Sequence, residues 1–329
     1  MRLLMTDLSD FAATDPLVGK VRDLLKRKRK YRVETLADEL DAAPRRVRAA
    51  IVALQDAGFR IPAEVAGEVE LVKIPPSNSD TIRKLPLELL DGDLIRFGVV
   101  SDTHLCSKHC ALDELHLAYD YFEREGIAEV LHPGDLVAGV GIFKGQHNEI
   151  THHTFEDQRD FAVEHYPKRT GITTRIIGGN HDLEGDFGAV GADPVKGVAH
   201  LRPDFDYLGP YSAWLELANG AHVHLLHGKG GMSYSFSYKM QKLCEAYGAG
   251  RKPAALLLGH FHVQGSLEAR GIQGLFPACF ELISKQFGER VGHRNSIGFH
   301  VVEARLGDDG SIVEWTPRWK PLWPGRVLT

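Results

Sequence analysis

Phe97-Gly98-Val99-Val100-Ser101-Asp102-Thr103-His104 is an apolar run that ends in a carboxylate and an imidazole two residues apart. Such a run reads as a buried strand of an α/β sheet, and ligands gather beyond the carboxyl ends of these strands. Asp-x-His alone is weak evidence, because chance places the triplet in many chains of this length. The same grammar recurs four times downstream. Val130-Leu131-His132-Pro133-Gly134-Asp135 ends in Gly-Asp, and Arg175-Ile176-Ile177-Gly178-Gly179-Asn180-His181-Asp182 ends in Gly-Asn-His-Asp. His222-Val223-His224-Leu225-Leu226-His227-Gly228 ends in His-Gly, and Leu256-Leu257-Leu258-Gly259-His260-Phe261-His262 ends in Gly-His-x-His. Five strand ends thus supply carboxylate, amide oxygen and imidazole. That mixture suits borderline divalent metals such as manganese, iron, nickel or zinc better than calcium.

The ordered series resembles the calcineurin-like metallophosphoesterase superfamily, whose signature runs Asp-x-His, Gly-Asp, Gly-Asn-His-Asp/Glu, His, Gly-His-x-His. The resemblance covers the chain from about Leu94 to the C-terminal region. It implies an α/β fold, a four-layer αββα sandwich of two mixed sheets flanked by helices. It also implies two divalent metals, Mn²⁺ first among them with Fe, Ni or Zn as alternatives. Asp102, His104, Asp135 and His262 would hold one, and Asp135 would bridge to the other, held with Asn180, His227 and His260. By the same resemblance the metals activate a bridging hydroxide for in-line attack on a phosphodiester. His181 would be the general acid, with Asp182 placed to orient or charge it. One departure is visible: many members carry Asp or Asn three residues after the Gly-Asp aspartate, a supporting position, and here it is Ala138.

Several motifs lie outside this series. Cys106-Ser107-Lys108-His109-Cys110 looks briefly like a zinc knuckle but lacks a second ligand pair at the usual spacing. Lys108 and His109, close behind Asp102-Thr103-His104, are expected to face substrate. His132, His152, His153, His222 and His224 have no place in the pattern; His222 and His224 share one strand face and are either packed or exposed. Four cysteines in 329 residues make no disulfide framework.

Composition bounds the class. The chain is 43% hydrophobic, enough for a sizeable core, with no apolar run of membrane-span length and no signal-peptide pattern. A cytoplasmic protein without a membrane partner is the expectation. The formal charge of −5 is unevenly spread: Lys20 to Arg60 holds twelve Lys/Arg against six Asp/Glu, a local excess near +6.

That basic segment has its own pattern. Asp15-Pro16 reads as N-cap and first helical residue, followed by Leu17, Val21, Leu24 and Leu25 at helical spacing and by Lys26-Arg27-Lys28-Arg29-Lys30 at the helix end. A second helix holds Leu36 and Leu40. Pro44 opens a third, with Val47, Ile51 and Leu54 on one face, Arg45, Arg46 and Arg48 near its start, and Gly58 as C-cap. Phe59-Arg60-Ile61 and Glu68 to Ile74 alternate like a hairpin. The segment resembles a winged helix-turn-helix over about Pro16 to Ile74, which would put Arg45, Arg46 and Arg48 in the major groove of DNA. Winged helices also serve as docking modules, and that reading stands beside the first.

The domain reading is a winged-helix domain at 1–75, a linker at 76–93 and the phosphoesterase domain at 94–329. Pro75-Pro76-Ser77-Asn78-Ser79-Asp80 has linker composition, and Leu85 to Leu90 is expected to lie against the large domain. There, strands at Leu94 to Val100, Glu129 to His132 and Ile172 to Ile177 alternate with helices at Leu112 to Glu125 and Phe155 to Tyr166, implying a mainly parallel sheet. After Tyr207 the strands crowd together, with one helix at Tyr238 to Tyr247. The metal pattern sets reaction type and leaves the substrate open. Ser-Asp-Thr-His-Leu and Leu-Gly-His-Phe-His look like the DNA-repair nuclease branch and the archaeal polymerase small subunit, and the stretch from His147 to Ile172 is similar to phage-encoded members. The first expectation is a metal-dependent DNA phosphodiesterase or nuclease. The alternatives are a phosphomonoesterase or cyclic-nucleotide phosphodiesterase with a docking module, and a non-catalytic DNA-binding replication accessory protein.

Overall fold

The structure, a computed structural model, describes residues 16–27, 30–56, 68–70, 82–231, 233–247, 252–283 and 295–323. The chain divides into two compact units, Met1–Ser77 and Asn78–Thr329.

In the first unit, α1 (Pro16–Arg27) is followed by β1 (Lys30–Arg32), α2 (Val33–Glu39), α3 (Pro44–Asp56) and β2 (Glu68–Glu70). Val21, Leu25, Leu36, Val47, Ile51 and Leu54 form its core, the i, i+3/i+4 faces of three helices buried against one another. The basic run does not all belong to α1, because Lys30 opens β1. The described partner of Glu68–Glu70 is Lys30–Arg32, antiparallel, with Tyr31 opposite Val69. Gly58, Phe59 to Ile61 and Leu71 to Ile74, the remaining parts of the expected cap and hairpin, lie outside the described residues.

The second unit is built on two six-stranded sheets, ordered β14-β13-β4-β5-β6-β7 and β11-β12-β10-β9-β8-β3. In the first, β4 (Leu94–Val99), β5 (Glu129–His132), β6 (Thr173–Ile177) and β7 (Phe205–Gly209) run parallel, while β13 (Gly298–Leu306) and β14 (Ile312–Pro321) close the edge antiparallel. In the second, β9 (His222–His227), β10 (Ala255–Gly259) and β12 (Ile272–Phe276) are parallel. The antiparallel β8 (Ser212–Glu216) and β11 (Gly265–Ala269) flank them, and β3 (Ile82–Lys84) runs parallel to β8 at the edge. Ile82–Lys84 lies within the stretch read as linker, and Leu85 behind it is buried in the core between the sheets.

The period of two decides which layer each strand residue joins. Ile95, Phe97, Val99, Leu131 and Ile177 face the second sheet and meet Leu215, Val223, Leu225, Leu257 and Leu275. Val130 and Ile176 point the other way, onto Leu115, Ala118, Tyr119 and Phe122 of α4 (Leu112–Arg124) and Ala162 of α5 (Phe155–His165). Leu256 and Leu258 point outward from the second sheet onto Met240 and Cys244 of α6, the helix Tyr238–Ala246. Helix, sheet, sheet and helix layers result, the expected αββα sandwich. No helix among the described residues is long and apolar enough to cross a membrane.

Candidate metal centre

The carboxyl ends of β4, β5, β6, β9 and β10 meet on one rim. Asp102, His104, Asp135, Asn180, His227, His260 and His262 are all brought together there. Three overlapping donor groups form: Asp102, His104 and His262; His104, Asp135 and His181; Asp135, His227 and His260. In the first, His104 Nε2 is 3.0 Å from His262 Nε2, whose ring lies 3.5 Å from Asp102 Oδ1. In the last, Asn180 Oδ1 lies 3.0 Å from His227 Nε2 and 2.8 Å from His260 Nδ1. Asp135 joins them, its Oδ2 lying 3.2 Å from His227 Nε2 and 3.7 Å from His104 Nε2.

The donor set fits divalent cations. Imidazole, carboxylate and amide oxygens face one another, and the buried His104 Nδ1 has no hydrogen-bond partner. A buried imidazole with one orphaned nitrogen, and the other aimed only at fellow donors, is poorly explained by hydrogen bonding alone. The floor is buried, Asp102, His104, Asp135 and His227 all being shielded from solvent, while His181, His260 and His262 remain partly open to it. Such an open side is what a metal site needs in order to admit a substrate.

Backbone conformation is part of the construction. Asp102, His104, Asp135, His260 and His262 all have positive φ, between 43° and 89°. Left-handed backbone at a non-glycine residue costs about 1–3 kcal/mol. Five such residues in one site are held by their surroundings: Asp102 accepts from the His260 amide at 3.0 Å, and Asp135 Oδ1 from the His181 amide at 2.9 Å. The glycines beside the donors permit close approach. At Gly134, φ is +98° and a Cβ would stand 2.5 Å from His227 Nδ1; on Gly179 it would stand 2.1 Å from Asp135 Oδ1. Gly179→Ala is therefore expected to destabilise the protein by about 1–3 kcal/mol, as overpacking does. It should also weaken Mn²⁺ binding; an unchanged melting temperature and unchanged Mn²⁺ titration would contradict this account.

The electrostatics follow from burial and from the two aspartates. Burial pushes His104 and His260 down to about 4. Burial opposes the charge on His227 too, yet the Asp135 carboxylate beside it raises that imidazole to about 9. Burial would raise Asp102, but its bond to His262 and the nearby imidazoles bring it down to about 2.

Asp182 corrects the sequence reading. Its buried carboxylate does not meet the His181 imidazole; it accepts from the amides of Leu136, Val137 and Gly179 at 3.2, 3.0 and 2.8 Å. It ties the loop after β5 to the loop after β6. The His181 ring is oriented by a main-chain group, Nδ1 lying 2.6 Å from the carbonyl of Ala138. The residue that departs from the family pattern thus supports the imidazole through its backbone. That same carbonyl accepts from Gln146 Nε2 at 2.7 Å, and the buried Gln158 clamps Gly139 on both its amide and its carbonyl.

Lys108 and His109 sit on a rim ribbon made by two loops. Ser107 bridges Ile150 antiparallel, and the Lys108 amide donates to Glu149 O at 2.8 Å. Lys108 is exposed with Nζ on Asn148 O, and His109 is half-buried beside the 279–282 segment, its carbonyl accepting from Leu282. Of the histidines outside the pattern, His132 is buried against Thr103 and receives the Gly134 amide, and His224 stacks on Trp214. The cysteines are free, with no disulfide among the described residues, and Cys110 Sγ donates to Thr103 O. Arg45, Arg46 and Arg48 belong to the first unit, exposed in the opening turns of α3, with Arg48 3.4 Å from Glu34.

A profile of the calcineurin-like phosphoesterase superfamily domain matches residues 95–277. The chain belongs to the calcineurin-like phosphoesterase superfamily. Among curated relatives, the DNA polymerase II small subunit of Halobacterium salinarum is 30% identical over 92 residues, 27% of this chain and 18% of that protein. Among solved structures, a novel archaeal phosphodiesterase is 13% identical with a TM-score of 0.38, covering 69% of this chain and all of that one. Vps29 of Entamoeba histolytica, as a single mutant, is 14% identical with a TM-score of 0.33, over 69% of this chain and 99% of its own. The phosphoesterase domain profile begins inside β4 and ends just past β12, so it contains every donor named above and leaves Glu281 outside.

Glu281 is the residue at this rim that sequence reading missed. Its carboxylate lies 3.9 Å from both His104 Nε2 and His262 Nδ1. No strand-end motif announces it, because it follows β12 in an irregular segment.

Proposed function

We propose that this protein is a dinuclear-metal-dependent phosphodiesterase that cleaves DNA. The carrying observation is the meeting of seven donors from five strand ends, Asp135 central among them, with His181 beside them. Two divalent cations there, Mn²⁺ by preference, would lower the pKa of water and offset phosphate charge. Asp102, His104 and His262 would hold one, and Asn180, His227 and His260 the other, with Asp135 serving both. Asn180 offers an oxygen without adding negative charge, which suits a site that must admit an anion. His181, its Nδ1 turned to Ala138, leaves Nε2 to protonate the departing oxygen. Asp182 fixes the two loops on which Asp135 and His181 stand. Lys108 offers a cation on the rim, with His109 next to it.

Two observations support DNA. The 92-residue likeness is to a protein named as a DNA polymerase subunit. The first unit has the helix–strand–helix–helix–strand order of a winged helix-turn-helix and exposes Arg45, Arg46 and Arg48 at the start of its third helix. A panel of single- and double-stranded DNA, RNA, bis-para-nitrophenyl phosphate and para-nitrophenyl phosphate, each with Mn²⁺, tests the proposal. Diester cleavage with little monoester turnover is expected. Preference for the monoester would replace a nuclease by a phosphatase, and inertness toward every substrate would leave a DNA-binding accessory protein.

Replacing Arg45, Arg46 and Arg48 together by Ala is expected to weaken DNA binding and flatten its salt dependence. For every phosphate no longer neutralised, the log–log salt slope should fall by about 0.9 for duplex, or about 0.7 for a single strand. Turnover of the small diester should hold. An unchanged slope in a salt titration would make the first unit a docking module.

A further inference from the structure

We propose that the loop after β9 holds an unpaired DNA strand beside the metal centre, Tyr234 stacking on a base and Lys229 meeting a backbone phosphate, so that the preferred substrate is single-stranded. The inference rests on the DNA-phosphodiesterase reading above and names the form of DNA it takes.

The loop is tied to the donors at its base. Gly228 follows the donor His227, and a Cβ on it would stand 2.6 Å from the ring of Phe261, the residue between His260 and His262. The Gly228 amide donates to Gly259 O at 3.3 Å. His260 Nε2 donates to Gly230 O at 3.1 Å, which leaves Nδ1 toward Asn180 Oδ1 and His227 Nε2. Lys239 closes the loop, its Nζ donating to Lys229 O at 2.8 Å and lying 4.8 Å from the centre of the Phe261 ring. Tyr234 is four residues beyond Gly230, so its Cα lies within about 14 Å of the glycine that touches His260.

Beyond that base the aromatic residues divide. Phe236 turns inward onto Phe276, with ring centroids 4.6 Å apart, whereas Tyr234 is 111% exposed and Tyr238 52%. A single exposed tyrosine is ordinary on a protein surface. Its surroundings here are less so: Leu217 to Cys244 contains Lys229, Lys239 and Lys242 and no Asp or Glu, in a chain with 44 acidic residues among 329. The Lys229 side chain is 87% exposed, and its described partner, Glu184 at 3.7 Å, is itself half in solvent. A surface pair of that kind is weak enough for a phosphate to displace. Exposed rings interleaved with cations bind single strands because every unpaired base offers a π-face, while in a duplex those faces are stacked on their neighbours.

Tyr234→Ala removes a ring that packs on nothing, so the melting temperature should hold. In Mn²⁺-supported cleavage of a single-stranded oligonucleotide by the full chain, KM is expected to rise about 5- to 100-fold, as loss of one base stack gives, with a much smaller change in kcat. Tyr234→Phe keeps the π-face and should stay near wild type. Lys229→Gln should reduce the log–log salt slope of KM by about 0.7, and Tyr234→Ala should leave that slope unchanged. An unchanged KM in Tyr234→Ala would overturn the proposal, and is what a loop serving a protein partner would give. Equal losses in the Ala and Phe variants, equal losses on single-stranded and duplex DNA, or an unchanged slope in Lys229→Gln would overturn it as well. A wild type that cleaves no diester with Mn²⁺ would sink the phosphodiesterase reading instead, and fluorescence anisotropy of the same oligonucleotide then tests the loop by the same ratios between variants.

Discussion

Asp135→Asn is expected to abolish diester cleavage and to empty both metal positions together. The Asp135 carboxylate stands between the two donor groups, Oδ2 lying 3.2 Å from His227 Nε2 and 3.7 Å from His104 Nε2. Its other oxygen accepts from the His181 amide at 2.9 Å. An asparagine of the same shape loses the charge and offers one oxygen where two are used. Removing a supporting partner of a metal ligand already costs about 10- to 100-fold in affinity, so loss of the shared charged donor should exceed about 100-fold. Titration with Mn²⁺, small-diester kinetics and a melting curve in chelator together separate loss of metal from loss of fold. Chelation should silence the wild type and Mn²⁺ restore it. Full activity in Asp135→Asn with unchanged metal content would remove the shared-carboxylate mechanism.

His181→Ala is expected to keep both metals and to slow DNA cleavage by about 10²–10⁴-fold, the usual contribution of a positioned acid. Metal retention is the expectation because the hydrogen bond to Asp135 survives the change. What His181 gives Asp135 is its backbone amide, and alanine keeps that donor. The imidazole itself is held by Ala138 O at 2.6 Å and lies edge-on to the His104 ring, 4.4 Å between centroids. A para-nitrophenolate leaves without needing a proton, so bis-para-nitrophenyl phosphate should suffer far less than DNA. Equal losses on the two substrates would make His181 a positioning residue, and loss of metal would make it a ligand.

The strand ends are legible in the sequence because two short-range signals coincide there. Period-two apolar runs give the buried strands, and the glycines that follow them mark where the chain turns at a crowded rim. The glycine preceding Asn180 is required by a carboxylate from another strand, 2.1 Å from where a Cβ would stand, so a distant contact leaves a local mark. Asp182 shows how adjacency misleads. It neighbours His181 in the chain, yet its buried carboxylate turns to amides at Leu136, Val137 and Gly179. Sequence reading misses the helix Pro194–Leu201 although Asp193-Pro194 signals it, and Asp193 indeed caps it by accepting from the Lys196 amide. It also misses the strands Phe205–Gly209 and Ile272–Phe276: Asp206 and Gly209 break the apolar run of the first, and Gln273 and Gly274 interrupt the second.

By itself the sequence determined the order of the donors, the chemical kinds on offer and the alternation of strands and helices that makes a mainly parallel sheet, the αββα layering being what the family resemblance implied. These are properties of neighbouring residues, set by periodicity and turn chemistry. Only the tertiary structure decided that Asp135 stands between the two donor groups, that five of their residues take positive φ, and that Ala138 orients His181 through its carbonyl. It alone brought Glu281 to His104, across 177 positions of chain, through a backbone ladder rather than a motif. The physical reason is the same in each case: a hydrogen bond or a charge pair forms between atoms that folding brings close, and residue types along the chain record such closeness only where sterics forbid an alternative.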